Sequence, residues 1–131
     1  MQFQVSTKYA IRMLQYLHLH SKEVPSATTI SHSIDVTYPF VIRIASDLKK
    51  HGLLTAVQGR SGGYRLAKPA TEISVYDVFL AIEGDLQIFR CLKDEQCYSK
   101  CSTHDYLLAL QSDMATLLSR KYVADLPLEG L

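Results

Sequence analysis

The 131-residue sequence has no apolar run of the length that crosses a membrane. Its opening residues, Met1 to Val5, also lack the charged lead-in and following apolar stretch of a secretory signal peptide. We therefore expect a cytoplasmic protein with no membrane partner. The length fits one domain, with one appended element at most, and is sufficient to bury a core.

Cysteine is scarce, and all three cysteines fall within the eleven residues 91–101. Cysteines of a cytoplasmic protein are usually reduced, so a framework of structural disulfides is not expected. The clustering favours a metal site or redox chemistry. A packing role is a weak explanation, because the loop around these cysteines is polar and shows no core pattern.

An excess of one charge is also missing. The formal net charge is +1, which alone does not indicate a nucleic-acid-binding protein. The distribution is more informative, because residues 36–68 carry six basic side chains and one acidic one, whereas residues 69–113 carry three basic and eight acidic ones. A positive field over the first segment would attract phosphates, although two ordinary solvated surfaces would give the same counts.

A glycine-rich turn, residues 59–63, separates two apolar runs in the segment Leu53 to Leu66. Glycine permits the positive φ angles of a tight reversal, so the segment predicts a two-stranded hairpin with Arg60 at its tip. An ordinary surface turn is the alternative. A nucleotide-binding loop is disfavoured, because no lysine followed by serine or threonine comes after the glycines.

Apolar spacing and capping residues predict five helices, over about residues 6–20, 26–33, 37–51, 74–84 and 102–122. Ser6, Thr37, Ser74 and Ser102 are expected at their N-termini, the last two with an aspartate three positions on. The second and third helices are joined at a sharp bend and followed by the hairpin. This order is the plan of a winged helix-turn-helix DNA-binding module.

One face of the third predicted helix is apolar and should face the core, which leaves its N-terminal, outward side for base edges. There Arg43 could either read a guanine edge or hold a phosphate. Lys49 and Lys50 suit the negative end of the helix dipole, and we also expect them near DNA. The candidate DNA-binding residues are Thr37, Tyr38, Pro39, Ile42, Arg43, Ser46, Lys49 and Lys50 in this helix region and Arg60, Ser61 and Gly62 in the hairpin.

The last predicted helix has a wide apolar surface. We expect one of its two apolar stripes to pack on a second copy of the helix, and a single broad core-facing stripe is the alternative. A symmetric homodimer would place two recognition helices one turn apart on palindromic double-stranded DNA. The first stripe, with coiled-coil spacing, is Leu107, Leu110, Met114 and Leu117, and the second is Leu108, Ala115, Leu118 and Tyr122.

The cysteine loop shows the spacing C-x5-C-x3-C-x2-H, in which Cys91, Cys97 and Cys101 are followed by His104. Three thiolates and one imidazole can satisfy a four-ligand demand, either from structural zinc or from an iron–sulphur cluster. A disulfide switch that uses the same cysteines is a further alternative. An enzyme with a cysteine nucleophile would need an oriented base, and only His104 is near in sequence, so enzymatic activity is not expected.

These patterns together predict a mostly α fold with a small β-hairpin. We expect a winged helix-turn-helix DNA-binding domain over residues 1–84, followed by a cysteine-containing sensor loop over residues 85–101. A long C-terminal dimerisation helix with its tail would then occupy residues 102–131.

With both the hairpin and the cysteine loop in place, the chain resembles the Rrf2 family of bacterial winged-helix transcriptional regulators over essentially its whole length. The resemblance rests on residues 6–10, residues 48–53, the hairpin residues 59–64 and the three cysteines with the run Cys101-Ser102-Thr103-His104. It implies a homodimer crossed through its long helices. It also implies recognition helices in major grooves and a wing arginine in the minor groove.

Cysteine-bearing members of this family hold an iron–sulphur cluster whose presence or redox state alters operator binding. The resemblance therefore implies a repressor that senses iron–sulphur, redox or nitrosative status through a cluster of the [2Fe-2S] type. The implied cluster ligands are Cys91, Cys97, Cys101 and His104.

The sequence departs from the family pattern in three places. The gap between Cys97 and Cys101 is two residues shorter than the usual five, so the resemblance does not define the loop geometry. Lys8 stands where nitric-oxide sensors can take an aspartate ligand from the partner, which argues against that scheme. Ile42 stands where cluster-sensing members carry a glutamate, so their discrimination between two operator classes does not carry over.

Overall fold

The computed structural model describes residues 3–89, 92 and 101–128. In these residues five α-helices and one two-stranded antiparallel sheet follow one another, which confirms the predicted fold class. Each helix in the described ranges is too short or too polar to span a bilayer. In chain order the elements are α1 (Val5–Leu19), α2 (Ala27–Ile34), α3 (Tyr38–Lys50), β1 (Leu54–Val57), β2 (Gly63–Leu66), a 3-10 turn (Ala70–Glu72), α4 (Val75–Glu83), α5 (His104–Ser119) and a second 3-10 turn (Val123–Asp125).

The core lies where α1 packs against α2, α3 and α4. Leu14 of α1, Ile30 of α2 and Leu48 of α3 are fully buried. Burial of an aliphatic side chain of this size stabilises a fold by about 1.5–3 kcal/mol, so these contacts fix α3 against α1. Val123 joins the same core from the C-terminal side, and its backbone N–H donates to the carbonyl of Ile73 at 2.8 Å.

Local capping explains where α2 and α3 begin. The Ser26 hydroxyl accepts a hydrogen bond from the backbone N–H of Thr29, and the Thr37 hydroxyl accepts one from Phe40 in the same way. Asp35 ends α2 in the left-handed conformation, with φ 56° and ψ 57°, a conformation that often terminates helices. The predicted bend and the predicted Thr37 cap are confirmed.

The predicted hairpin and the capping of the fourth helix are also confirmed. β1 and β2 pair antiparallel with Leu54 opposite Leu66, and Arg60 lies in the turn between them. At the start of α4 the Ser74 hydroxyl accepts from the backbone N–H of Asp77, and the Asp77 carboxylate accepts from the backbone N–H of Ser74.

The wing, residues 54–66, is fastened to the segment that precedes α2. The backbone N–H of Tyr64 donates to the carbonyl of Pro25 at 3.0 Å. A Cβ atom on Gly63 would lie 2.1 Å from that same oxygen, so this close approach requires glycine. The wing therefore has a fixed position beside the helix-turn-helix.

The first helix begins earlier than predicted. α1 starts at Val5 after Gln4, and Ser6, the expected cap, lies buried inside the first turn. A carboxylate oxygen of Glu83 accepts hydrogen bonds from the backbone N–H of Gln4 and, at 2.7 Å, from the Thr7 hydroxyl. Because this acidic partner comes from the far end of α4, the local sequence did not reveal the boundary.

The last helix begins later than predicted. α5 starts at His104, with Thr103 at the N-cap position and no side-chain capping bond there. The expected cap between Ser102 and Asp105 is therefore wrong. The His104 backbone N–H donates instead to a carbonyl three residues back, which closes a turn ahead of the helix.

The same helix ends at Ser119, before the predicted end at about Tyr122. Tyr122 does not extend the second apolar stripe, because it pairs with Ser74 in an isolated β-bridge. Next to this bridge the backbone N–H of Val75 donates to the carbonyl of Lys121 at 2.8 Å. Long-range hydrogen bonds thus pair backbone N–H and C=O groups after Ser119, where further helical turns would otherwise pair them.

Replacing Gly63 with alanine should destabilise the protein by about 1–3 kcal/mol, because the new methyl group would overlap the Pro25 carbonyl. Urea unfolding followed by circular dichroism measures the change. Ser61→Ala, in the exposed turn of the same hairpin, is the matched control and should change the free energy of unfolding by less than about 0.5 kcal/mol. An unchanged midpoint for the Gly63 variant would contradict the close approach.

Candidate nucleic-acid interface

The outward side of α3 is exposed, as its apolar spacing predicts. Its inner side is buried, whereas Tyr38 is 53% and Ile42 is 38% exposed. Large apolar side chains next to each other on a surface are typical of a binding face. The other candidate residues of this region, which are also exposed, are Thr37, Pro39, Arg43, Ser46, Lys49 and Lys50.

A cleft of about 270 Å³ connects the N-terminal end of α3 to the wing. Tyr38 and Ile42 line it from α3 and Gly62 lines it from the wing, so the fold brings three candidate residues together. Ser26 and Thr28, at the start of α2, line it as well. Sequence patterns did not indicate these two hydroxyl groups, since only the packing of the wing brings them to this surface.

Arg60 lies in the exposed turn of the wing. The turn is closed by a hydrogen bond of 3.0 Å from the backbone N–H of Gly62 to the carbonyl of Gly59. Gly59 has φ 105°, in the region that favours glycine. An arginine on a closed turn of this kind is suited to a narrow minor groove, where the negative potential is high.

Lys49 and Lys50 lie at the opposite end of α3 and do not line the cleft. At 1.5 Å per residue they are about 17 Å along the helix axis from Tyr38. Both occupy the last turn, where a positive charge stabilises the helix dipole. A role in DNA binding for these lysines stays a prediction.

Arg43 lies on the edge of α3 that is nearest α1, outside the cleft. Its Nη2 donates to the Ser6 hydroxyl oxygen at 3.3 Å, and its Cζ lies 5.8 Å from the centroid of the Phe40 ring. These contacts direct the guanidinium towards the first turn of α1.

Tyr64 lines the cleft between the wing and α3. Burial raises the pKa of its hydroxyl above the ordinary value of 10, and Tyr38 nearby adds to the shift. The shift moves this pKa further from neutral pH, so the Tyr64 hydroxyl stays protonated, as an unshifted tyrosine would, and adds no negative charge to the cleft.

Two of the four predicted cluster ligands, Cys101 and His104, lie in the described part of the chain, and Cys91 and Cys97 lie outside it. Cys101 is half-buried, with its Sγ 3.2 Å from the Oγ1 of Thr103. His104, the first residue of α5, is only 4% exposed. Its backbone N–H donates to the carbonyl of Cys101 at 3.2 Å, so the thiol and the imidazole belong to one turn.

The donor chemistry of this turn fits an iron–sulphur cluster, because thiolate and imidazole are both ligands that iron accepts. The burial of His104 distinguishes it from an ordinary surface histidine. Within residues 3–89, 92 and 101–128 no three His, Cys, Asp or Glu side chains are grouped as a metal site. The other two candidate ligands lie beyond those ranges.

A helix-turn-helix whose second helix shares an exposed cleft with a β-hairpin is the architecture of a winged-helix DNA-binding protein. The chain belongs to the Rrf2 family, described as iron-dependent transcriptional regulators, whose pattern matches residues 3–128. Membership confirms the resemblance inferred from the sequence. Members of this family are DNA-binding transcriptional regulators.

Curated proteins from several bacteria, among them two transcriptional regulators, are similar in sequence. IscR of Serratia proteamaculans is 31% identical over 122 residues, which are 91% of this chain and 74% of that protein. IscR of Photorhabdus laumondii is 32% identical over 127 residues, which are 95% of this chain and 74% of that protein. Protein aau3 of Rhizobium meliloti is 33% identical over 87 residues, and the match spans only 56% of its length.

Solved structures share the fold. CymR of B. subtilis, the global cysteine regulator, superimposes with a TM-score of 0.74 at 18% identity and covers 95% of both chains. IscR of T. potens superimposes with a TM-score of 0.73 at 21% identity, over 95% of this chain and 85% of that one. At these identities the likeness establishes the winged-helix fold.

Replacing Arg60 with alanine should weaken binding to duplex DNA by about 1–3 kcal/mol, because the wing loses its terminal charge. The affinity of Arg60→Lys should lie between those of the wild type and Arg60→Ala, since lysine keeps the charge and loses the planar fork. Fluorescence anisotropy with a labelled duplex measures both. Lys121→Ala, which removes an exposed charge outside α3 and the wing, is the control, and equal losses in the Arg60 and Lys121 variants would contradict the role of the wing.

Proposed function

We propose that this chain is a homodimeric repressor that recognises a palindromic operator. The observation that carries the proposal is the cleft in which Tyr38 and Ile42 of α3 meet Gly62 of the wing. In this arrangement α3 reads bases in the major groove with its N-terminal end, while Arg60 enters the adjacent minor groove. Such a protein acts where bacterial DNA lies, in the cytoplasm.

Selection of bound sequences from random duplexes tests this function. The wild-type protein should enrich a palindrome whose half-site centres lie about 10 base pairs, or a multiple of that, apart. Arg60→Ala should reduce the enrichment, and Lys121→Ala should leave it unchanged. A wild-type protein that enriches no sequence would refute the proposal.

The apolar face of α5 supports the homodimer. In the first stripe Leu117 is 62% exposed and Leu107, Leu110 and Met114 are only half-buried, and among the 16 residues of this helix only His104 is buried. A coiled-coil seam that the described part of the chain leaves this exposed is typical of a helix that pairs with another chain. A second copy of α5 offers a self-complementary one, as two-fold symmetry requires.

Leu117→Asp should convert the dimer to a monomer, because it places a charge in the apolar seam. Loss of bivalent binding should then weaken operator affinity by about 100-fold or more. Ser112→Asp adds the same charge on another face of α5 and should keep the dimer. Light scattering after size-exclusion chromatography measures the mass, and an unchanged mass for the Leu117 variant would overturn the proposed interface.

We also propose that the protein holds an iron–sulphur cluster of the [2Fe-2S] type on Cys91, Cys97, Cys101 and His104. The buried imidazole on the turn that contains Cys101 supports this ligand set. When bound, such a cluster supplies a centre that responds to oxidation, nitric oxide and iron supply.

Residues next to the cysteine segment provide the connection to α5. The backbone N–H of Ile88 donates to Oε1 of Gln111 at 3.1 Å, and Leu86 is only 6% exposed. A cluster bound between these residues and His104 would therefore act beside a contact that positions α5, and through the dimer it would act on the spacing of the two wings. A coupling of about 1–3 kcal/mol would change operator affinity about 5- to 150-fold.

Cys101→Ala should abolish the visible absorption and the bound iron and sulphide of anaerobically purified protein. Ser102→Ala, one residue further, should retain all three and serves as the matched control. The Cys101 variant should also bind the operator with one affinity under oxidising and reducing conditions. Iron and sulphide contents that are the same in the wild type and the Cys101 variant would contradict this ligand set.

A thiol switch on the same cysteines is a second candidate. The partial exposure of Cys101 favours this switch. CymR of Staphylococcus aureus, whose structure was solved in an oxidised form, shares the fold with a TM-score of 0.68. A colourless wild-type protein whose DNA binding responds to the thiol oxidant diamide would support this switch over the cluster. Bound zinc without sulphide would indicate a structural metal.

A further inference from the structure

Two cations and two aromatic rings form a continuous patch across α1 and α3, outside the cleft. The Nζ of Lys8 lies 4.8 Å from the centroid of the Tyr9 ring, and the Cζ of Arg43 lies 5.8 Å from that of the Phe40 ring. The Tyr9 and Phe40 rings pack edge to face with their centroids 5.8 Å apart. We name Lys8, Tyr9, Phe40 and Arg43 the α1–α3 patch.

The guanidinium of Arg43 has a defined orientation in this patch. Besides the Phe40 ring, it contacts the hydroxyl of Ser6, which is 7% exposed and belongs to the first turn of α1. The first turn of α1 is itself held by a 2.7 Å hydrogen bond that the Thr7 hydroxyl donates to the Glu83 carboxylate. A guanidinium has five N–H donors, so the bond to Ser6 leaves others for a ligand.

The two positive charges of the patch face solvent. Lys8 and Arg43 are exposed, and in the part of the chain that the structure describes neither forms an ion pair with a carboxylate. The carboxylate of Glu83, at the same turn of α1, already accepts hydrogen bonds from Gln4 and Thr7. The patch is therefore chemically suited to an anion.

The position of the patch indicates which anion. On one side of the exposed face of α3, Tyr38 and Ile42 line the cleft that separates α3 from the wing. On the other side, Arg43 contacts the first turn of α1. A major groove about 12 Å wide accommodates one helix and has a phosphate backbone along each edge. With α3 in the groove, the wing and the α1–α3 patch face opposite edges.

We propose that Lys8 and Arg43 bind phosphates of the DNA backbone on the groove edge opposite the wing, and that Arg43 does not read a base. This inference rests on the proposed DNA-binding function and deepens it. Phosphate contacts fix the register of a protein on the duplex without reading sequence. The recognition surface thus extends from the wing across α3 onto α1.

The salt dependence of operator binding, combined with base preference, tests the proposal on the intact dimer. Affinity falls as salt rises, and loss of one phosphate contact reduces the magnitude of the slope of log affinity against log salt by about 0.9. Arg43→Gln should therefore reduce this magnitude by about two per dimer. Lys8→Gln should lower it by the same amount. In both variants the base preference at every operator position should match that of the wild type.

Conservative and matched variants sharpen the result. Arg43→Lys should restore most of the slope, because a phosphate accepts a point charge, whereas a guanine contact made by the planar fork of arginine would be weakened by the change to lysine. Ser6→Ala should shift the slope in the same direction as Arg43→Gln and by less, since it frees the guanidinium without removing it. Lys121→Gln, outside the patch, should leave the slope unchanged, and thermal unfolding verifies that each variant is folded.

Several results would overturn the inference. An Arg43→Gln variant that keeps the slope of the wild type and relaxes the preference at one base pair would assign Arg43 to base reading. Equal affinity of wild type, Arg43→Gln and Lys8→Gln at all salt concentrations would remove the patch from the interface. Failure of the proposed function itself differs from both, because the wild type would then enrich no sequence and Arg60→Ala would have no effect.

Discussion

The attachment of the wing to the segment before α2 is the constraint on which the DNA-binding face depends. A two-stranded hairpin is not stable by itself in water, and this one is tied down by the hydrogen bond from Tyr64 to Pro25. Because Pro25 directly precedes Ser26, the cap of α2, one short segment positions both the wing and the helix-turn-helix. The cleft that joins Gly62 to α3 follows from this shared anchor.

The elements that were predictable from the sequence are those whose causes are local. The caps at Thr37 and Ser74 each use a partner three residues away, so a short window of sequence contains the whole interaction. The buried side of α3 follows in the same way from the 3.6-residue period. The fold class and the exposed candidate residues of α3 and the wing could therefore be predicted.

The features that were not predictable depend on partners far along the chain. The start of α1 is set by Glu83, 76 positions from Thr7, and the direction of Arg43 is set by Ser6, 37 positions away. The end of α5 is set by backbone pairing of Tyr122 with Ser74. In each case a contact between residues far apart in the sequence decides the outcome, and only the folded chain shows it.

Three consecutive residues in the first turns of α1 have different surroundings. Ser6 contacts the recognition helix through Arg43, Thr7 contacts the end of α4 through Glu83, and Lys8 adds a positive charge to the exposed surface beside them. An ammonium group has three donors and no acceptor, so it suits a phosphate and cannot replace a carboxylate as a metal ligand. The lysine at this position therefore argues against a cluster ligand from α1 and supports the proposed contact of Lys8 with a DNA phosphate.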